Sequence, residues 1–253
     1  RTGESSVVVF GLNPKALGDF SNVNGGFQNS AYGEYAVIAG GSENTAFSEF
    51  STISGGDANA IAVRSTDSTI SGGVANFIAF NAKDSVITGG IENKVCFFEF
   101  DDDFNDFKEN CSGCTISGGG GILCNGKEAV RTGGVGGFVL GDRSVATGGE
   151  DNEVSGKNAV IVGGKDNIAD GTLSIALGTQ AGAIKESSMV INLNPDGDGD
   201  GLESKKAGQF IANAESYKFQ IGKNDDDLSI QITEDNIQNL IDALKNAAAQ
   251  WMI

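Results

Sequence analysis

The sequence predicts an all-β fold, a parallel β-solenoid or β-roll of about ten coils of 15–17 residues, with a short C-terminal α-helix. Three observations predict it: glycine accounts for 38 of 253 residues, glycine pairs recur at regular steps, and the residues between them are small or β-branched. The 39% hydrophobic content suffices for a packed core, which argues against a disordered glycine-rich linker. Glycine at regular intervals in such a background indicates repeated tight corners.

The glycine pairs define the repeat. Successive pairs are 15, 15, 17, 17, 29, 15, 15 and 15 residues apart, and a degenerate copy, Leu177-Gly178, follows after 14 residues. A β-prone run such as Thr52-Ile53 precedes each pair. Because the period is too short for a helix pair and glycine breaks helices, it predicts stacked strands. The pairs are Gly25-Gly26, Gly40-Gly41, Gly55-Gly56, Gly72-Gly73, Gly89-Gly90, Gly118-Gly119, Gly133-Gly134, Gly148-Gly149 and Gly163-Gly164.

Each repeat therefore predicts one coil made of a strand, a glycine corner, a second strand and a polar corner. Equivalent positions stack from coil to coil about 4.8 Å apart, which places a recurring asparagine in one column. A hydrogen-bonded ladder along that column and a turn conformation that favours asparagine both explain the recurrence. The asparagines stand three residues after the second glycine and are Asn29, Asn44, Asn59, Asn76, Asn93, Asn152 and Asn167.

The chain divides into three predicted regions. Residues 1–193 form the solenoid, with an insertion over 97–114. Residues 194–232 form a closing segment with an acidic loop, and residues 233–253 form the C-terminal helix. Thr233 caps this helix, and an apolar stripe follows at alternating steps of 4 and 3 residues. The stripe either joins three chains or caps the roll of one chain, and it consists of Ile237, Ile241, Leu244, Ala248 and Trp251.

Charge and composition narrow the functional classes. The net charge of −17 disfavours binding to nucleic-acid phosphates and to anionic membranes. The absence of histidine excludes Ser-His-Asp and Cys-His catalysis, and with them the solenoid acyltransferases and carbonic anhydrases that depend on histidine. No apolar run is long enough to span a membrane as a helix. We therefore predict a protein that is not an enzyme and does not insert into membranes.

The four cysteines, Cys96, Cys111, Cys114 and Cys124, cluster around the insertion. Their positions favour two disulfides that pin the inserted segment to the coils, which implies an oxidising compartment. Three pairings are possible, and the sequence does not choose among them. A four-thiolate zinc site is the alternative, although only one short Cys-x-x-Cys half is present.

An acidic run in the closing segment predicts a Ca²⁺ site. Asp196, Asp198 and Asp200 alternate with glycines, like the first half of a calcium loop. The bidentate glutamate expected at the twelfth position is replaced by Ala207, and Glu203 substitutes for it only along a different loop path. A solvated acidic turn is the alternative interpretation.

The repeat also resembles a known family. The run from Asn44 to Gly56, Asn-Thr-Ala-Phe-Ser-Glu-Phe-Ser-Thr-Ile-Ser-Gly-Gly, is similar to the head domain of trimeric autotransporter adhesins, the YadA-like left-handed parallel β-roll. The resemblance covers about Val23 to Leu193. It implies a homotrimer whose rolls pack side by side, at the cell surface or outside the cell. It also implies a surface that binds matrix, glycan or surface proteins.

We therefore expect a non-catalytic structural or adhesive protein that acts as a homotrimer. A receptor- or glycan-binding fibre tip is one alternative, and an ice-binding solenoid is another, because a flat hydroxyl ladder orders water. Thr52 and Thr69 share the neighbouring column with Val86 and Val145, which interrupts the hydroxyl array. The hydroxyl column itself consists of Ser54, Ser71, Thr88, Ser117, Thr132 and Thr147.

Overall fold

The computed structural model describes residues 3–96, 112–193 and 201–214, and the backbone of residues 216–220 and 229–233. Two long parallel sheets enclose a narrow core, and this part of the chain contains no helix. The predicted all-β parallel solenoid is confirmed, with about eleven coils. The predicted C-terminal helix lies outside the described residues, apart from Thr233 itself, which ends a strand. Nothing in the described ranges forms a helix able to cross a bilayer.

Sheet 1 contains thirteen strands and sheet 2 contains twelve, each paired in parallel with the strand one coil away. Sheet 1 consists of β1 Val7–Val8, β3 Asn22–Val23, β5 Val37–Ile38, β7 Thr52–Ile53, β9 Thr69–Ile70, β11 Val86–Ile87, β13 Thr115–Ile116, β15 Val130–Thr132, β17 Val145–Thr147, β19 Val160–Val162, β21 Ile175–Gly178, β23 Met189–Asn192 and β25 Phe210–Asn213. Sheet 2 consists of β2 Lys15–Ala16, β4 Ser30–Ala31, β6 Thr45–Ala46, β8 Ala60–Ile61, β10 Phe77–Ile78, β12 Lys94–Val95, β14 Leu123–Cys124, β16 Phe138–Val139, β18 Glu153–Val154, β20 Ile168–Ala169, β22 Ala181–Gly182 and β24 Leu202–Glu203. A separate antiparallel pair joins β26 Ser216–Gln220 to β27 Ser229–Thr233.

The core lies between the sheets, because the second residue of nearly every strand points inward. In sheet 1 these inward residues are mostly isoleucines, such as Ile53 and Ile70, and they are completely buried. In sheet 2 they are mostly alanines, valines and isoleucines, such as Ala46 and Val154. Complete burial of an aliphatic side chain of this size contributes about 1.5–3 kcal/mol. Stacking the coils therefore supplies the core that no single coil has.

Differences in coil length occur mainly at one corner. The corner that leads from sheet 2 into sheet 1 is two residues longer between β8 and β9 than between β6 and β7. The predicted insertion lies at this same corner, between β12 and β13, and Ser112–Cys114 already occupy ordinary corner positions. The glycine corner changes length only near the end of the roll: it is shorter in the 14-residue coil and longer between β23 and β24, where the acidic run of the predicted Ca²⁺ site falls. Strand register is preserved, with Thr52 opposite both Val37 and Thr69.

The geometry of the glycine corner requires glycine at the second position of each pair. The second glycine of each pair has a positive φ, as at Gly41 with 90°, and its hydrogen faces the carbonyl oxygen of Gly56 in the next coil. A Cβ atom there would overlap that oxygen. The first coil has Phe10-Gly11 instead of a glycine pair, which is why the glycine spacing did not reveal it.

Candidate functional site

The asparagine column forms a hydrogen-bonded ladder inside the glycine corner. The Nδ2 atom of Asn59 lies 3.1 Å from the carbonyl oxygen of Gly55, 2.9 Å from that of Gly73 and 3.1 Å from Oδ1 of Asn44. Its Oδ1 atom accepts from the backbone N–H of Asn76 at 3.0 Å and from Nδ2 of Asn76 at 3.1 Å. The ladder, rather than a turn conformation, explains the recurring asparagine, since the left-handed residue is the one before it.

Two coils interrupt the ladder, and an arginine takes over part of its role. Ile122 and Gly137 occupy the asparagine position in these coils. In the second one, Nε of Arg131 donates to the carbonyl oxygen of Gly133 at 3.0 Å, and Nη2 lies 3.5 Å from that of Gly136. The oxygen of Gly133 is the one that an asparagine at position 137 would bind, because ladder asparagines donate to the carbonyl four residues earlier.

Arg131 is a completely buried cation at an inward position that Ile116 fills one coil earlier, Ala146 one coil later and Ile161 two coils later. Desolvation lowers the pKa of its guanidinium group. Its Nη1 atom has no hydrogen-bond partner. The sequence reasoning missed this residue, although aligning the repeats places it in the isoleucine column. Because of Arg131, the coils after the insertion are the part of the core whose composition differs most from that of the repeat.

Two cysteines lie in the same part of the core as free, buried thiols, Cys114 and Cys124. The Sγ atom of Cys114 lies 2.9 Å from the carbonyl oxygen of Gly126 and 3.4 Å from that of Cys124. The prediction of two disulfides is wrong for these cysteines, because both occupy inward coil positions and donate to backbone carbonyls there. Cys96 is disulfide-bonded. Cys111 lies outside the described residues.

The thiol pair leads to a testable pH dependence. The hydrogen bond with Cys114 and burial raise the pKa of the Cys124 thiol well above its ordinary value, although Arg131 opposes the shift. In the unfolded chain the thiol ionises near pH 8.5. The stability that the protonated thiol contributes is therefore fully present below about pH 8.5 and is lost as pH rises towards the folded-state pKa. For one proton, the limiting slope is about 1.4 kcal/mol per pH unit.

Urea unfolding between about pH 7 and pH 10.5 measures this slope, with Cys124→Val as the comparison. Valine is the natural control because Val139 occupies the same position in the next coil. We expect the wild-type protein to lose stability faster than the variant above about pH 8.5. Parallel curves for the two proteins would contradict the assignment of the slope to Cys124.

The outer face of sheet 1 carries no charge along its whole described length, although 20% of the chain's residues are charged. Two outward columns make up this face, and neither contains Asp, Glu, Lys or Arg. The first column consists of Val7, Asn22, Val37, Thr52, Thr69, Val86, Thr115, Val130, Val145, Val160, Ile175, Met189 and Phe210. The second consists of Val9, Asn24, Ala39, Ser54, Ser71, Thr88, Ser117, Thr132, Thr147, Val162, Leu177, Ile191 and Ala212.

The absence of charge is a property of the outer face of sheet 1 and not of the whole solenoid, because sheet 2 has charged residues at outward positions. Outward positions on sheet 2 include the charged residues Lys15, Lys94, Glu153 and Asp170. A solvated sheet face normally carries such polar and charged residues. The outer face of sheet 1 is therefore the surface whose composition departs most from that of a solvated sheet.

The hydroxyl column predicted from the sequence lies on this charge-free face. Its six members occupy six consecutive coils in the second outward column, and the neighbouring column mixes threonine with valine as expected. The predicted Ca²⁺ ligands Asp196, Asp198 and Asp200 lie outside the described residues. Their predicted role stays a prediction.

The fold and its surfaces define the class of protein: a β-solenoid repeat protein whose distinctive features are ladders and a long flat face. The chain matches no protein-family model. No curated protein matches it in sequence either. A functional assignment therefore rests on the repeat and on the chemistry of its surfaces.

Proposed function

We propose that this chain is a non-catalytic adhesive or structural head that acts as a homotrimer, with the outer face of sheet 1 as the contact between chains. The observation that carries the proposal is the absence of charge on that thirteen-strand face in a chain of net charge −17. Copies of such a chain repel one another, so a contact between them is most favourable where no carboxylate has to be buried. Around a three-fold axis, the three faces meet and each touches both neighbours.

The length of the face suits a contact along the whole roll. Thirteen strands about 4.8 Å apart extend over about 60 Å, and the two outward columns, two residues apart on each strand, are separated by about 7 Å. The flat area between them is about 400 Å². A standard interface buries about 800 Å² on each partner. The face therefore supplies about half of that area, and the rest comes from the relief of its side chains and from the neighbouring corners.

The resemblance of the repeat to YadA-like adhesin heads supports the same arrangement and an extracellular or cell-surface location. Within this proposal, the predicted Ca²⁺ residues lie in the chain between β23 and β24, and the predicted C-terminal helix follows the roll. The helix then joins the three chains through its apolar stripe. Matrix proteins, glycans or other surface proteins are the partners that an adhesive head binds.

Charge introduced into the face tests the proposal. We expect Thr115→Lys combined with Val145→Lys to convert a particle of three times the 26.0 kDa chain mass into a monomer, because each lysine would be buried against a neighbour. Light scattering measures the mass, and circular dichroism checks the fold. The matched control is Phe138→Lys combined with Ile168→Lys, which places the same charges on outward positions of sheet 2. This control is expected to stay trimeric.

Truncation after Thr233 distinguishes the two places where the chains can be joined. If the variant with Thr115→Lys and Val145→Lys remains a trimer but the truncated protein is a monomer, the chains are joined by the C-terminal segment. That result would overturn the role of sheet 1. A wild-type monomer would overturn the trimer itself.

Ice binding is the second candidate, favoured by the hydroxyl column on the same flat face. Thermal hysteresis measured on the wild-type protein tests it directly. A face buried in a trimer cannot contact ice, so hysteresis from a monomer supports this candidate. A trimer without hysteresis supports the adhesive head.

A further inference from the structure

An exposed aromatic ladder stands at the corner that leads from sheet 2 into sheet 1. In three consecutive coils, an acidic residue precedes an aromatic residue there: Asp19-Phe20, Glu34-Tyr35 and Glu49-Phe50. The rings stack with centroids 5.0 Å apart and interplanar angles of 7° and 6°. Phe20, Tyr35 and Phe50 are nevertheless 46%, 42% and 52% exposed. We call these six residues the acid–aromatic corner.

The corner itself does not require an aromatic residue. Phe20, Tyr35 and Phe50 have φ angles of 55°, 55° and 53°, in the left-handed region. Other coils place serine, arginine and leucine in the same conformation, as at Ser5, Arg143 and Leu173. The backbone geometry of the corner therefore does not account for three exposed rings.

A second aromatic pair widens the apolar surface beside the corner. Tyr32 and Phe47 precede it on the outer side of sheet 2, with ring centroids 4.8 Å apart and an interplanar angle of 13°. They are 41% and 43% exposed. Five partly exposed rings on three coils make a contiguous apolar patch of the kind that marks a contact site.

The acids of the corner have no cation to balance them within the described residues. Asp19, Glu34 and Glu49 are exposed, and the described salt bridge joins Lys165 to Glu150 instead. Carboxylates repeated about 4.8 Å apart along the coils repel one another. An exposed apolar column and a self-repelling acidic column thus run side by side.

At the same corner in the coils that follow, an arginine side chain covers an aromatic ring. The guanidinium carbon of Arg64 lies 5.1 Å from the ring centroid of Phe80. Within the chain, therefore, an arginine covers the aromatic ring where the corner is two residues longer. The first three coils have the rings and the acids, but no arginine is described over them.

We propose that the acid–aromatic corner docks a basic, aliphatic-rich segment of a partner protein. Lysine and arginine suit it because their charged ends reach the carboxylates while their stems lie against the rings. The inference rests on the proposed adhesive function, for which it supplies the chemistry of the partner. It does not depend on the trimer, since the corner is not part of the outer face of sheet 1.

Two other occupants fit the geometry less well. A glycan stacks on a free ring face, whereas the stacking in this ladder covers both faces of Tyr35 and one face each of Phe20 and Phe50. A second copy in a symmetric contact would bring the same acids together. The charge of the corner therefore favours a cationic protein partner.

The test uses the full chain and a synthetic peptide of about twelve alternating lysines and leucines, long enough to cross three coils because each extended residue spans about 3.3 Å. Binding is measured by interferometry at about 50 mM and about 500 mM salt. We expect Tyr35→Ser with Phe50→Ser to weaken binding about tenfold or more, although the net charge is unchanged. Serine at these positions is compatible with the fold, as Ser5 and Ser187 show. The aromatic control is Phe138→Ser, an equally exposed ring on sheet 2.

Charge variants complete the test. Glu34→Gln with Glu49→Gln is expected to weaken binding about tenfold at low salt, and the control pair Glu43→Gln with Glu92→Gln, at the glycine corner, to change it less than about twofold. A peptide of alternating lysine and serine is expected to bind at least about tenfold more weakly. Equal losses in the control variants would show general attraction to an acidic protein and overturn the site. Absence of binding, or a glycan that binds through Tyr35 and Phe50, would also overturn it, whatever mass the protein has in solution.

Discussion

Replacing Asn59 with alanine is expected to lower the free energy of unfolding by about 2–6 kcal/mol. The substitution leaves the carbonyl oxygen of Gly55 and the backbone N–H of Asn76 without a hydrogen-bond partner. The carbonyl oxygen of Gly73 and Oδ1 of Asn44 each lose one of two donors, because they still accept from the backbone N–H groups of Asp57 and of residue 59. A polar group buried without a partner costs about 1–3 kcal/mol, and two such groups arise at once.

Urea unfolding followed by circular dichroism measures the loss, and hydrogen exchange locates it. Because each coil contacts only its neighbours, faster exchange is expected mainly in the coils around Asn44, Asn59 and Asn76. Asn24→Ala is the matched control: Asn24 lies on the outer face, and the next coil has Ala39 at the same position. Its stability is expected to change by less than about 0.5 kcal/mol. A similar loss in both variants would show that the ladder is not the source of the stability.

The second large effect is expected at Gly41, where alanine should lower the free energy of unfolding by about 3 kcal/mol. The φ angle of 90° is strained for alanine, and the added Cβ would overlap the carbonyl oxygen of Gly56 and approach Nδ2 of Asn44 to 2.6 Å. The coils stack through this contact, so relief of the overlap requires the next coil to move. The loss thus combines backbone strain with damage to the ladder.

Gly40 provides a control in the adjacent residue. A Cβ atom there meets no atom within 4 Å, and its φ angle is outside the left-handed region. Gly40→Ala is therefore expected to be neutral or to stabilise the protein by up to about 1 kcal/mol, because alanine restricts the unfolded chain. If Gly40→Ala and Gly41→Ala changed the free energy of unfolding equally, close stacking against the next coil would not be the reason that the second position requires glycine.

The repeat itself was predictable because each coil is specified locally. Glycine pairs and β-branched runs determine corners and strands over a few residues, so a constant spacing was enough to predict parallel stacking and the asparagine column. The sequence did not choose between a ladder and a turn conformation for those asparagines. The structure decides it, since residues such as Glu43 and Ala58, just before the asparagines, adopt the left-handed conformation instead.

The cysteines show a limit of arguments from clustering. Four cysteines around one insertion favoured two disulfides, but Cys114 and Cys124 face the core as free thiols. Their inward positions are shared with Ala129 and Val139 one coil later, and this alignment was available in the sequence. Clustering in sequence did not show which side of a strand each thiol occupies.

By itself, the sequence determined the fold class, the coil length, the glycine corners and the existence of an asparagine column. Only the tertiary structure decided which columns face outward, that one face is free of charge, that Arg131 takes over a ladder contact, and that three aromatic residues stack at one corner. The physical reason is that corners and strands form from residues close in sequence. Faces, ladders and buried charges arise between residues about one coil apart, and their partners become neighbours only when the coils stack.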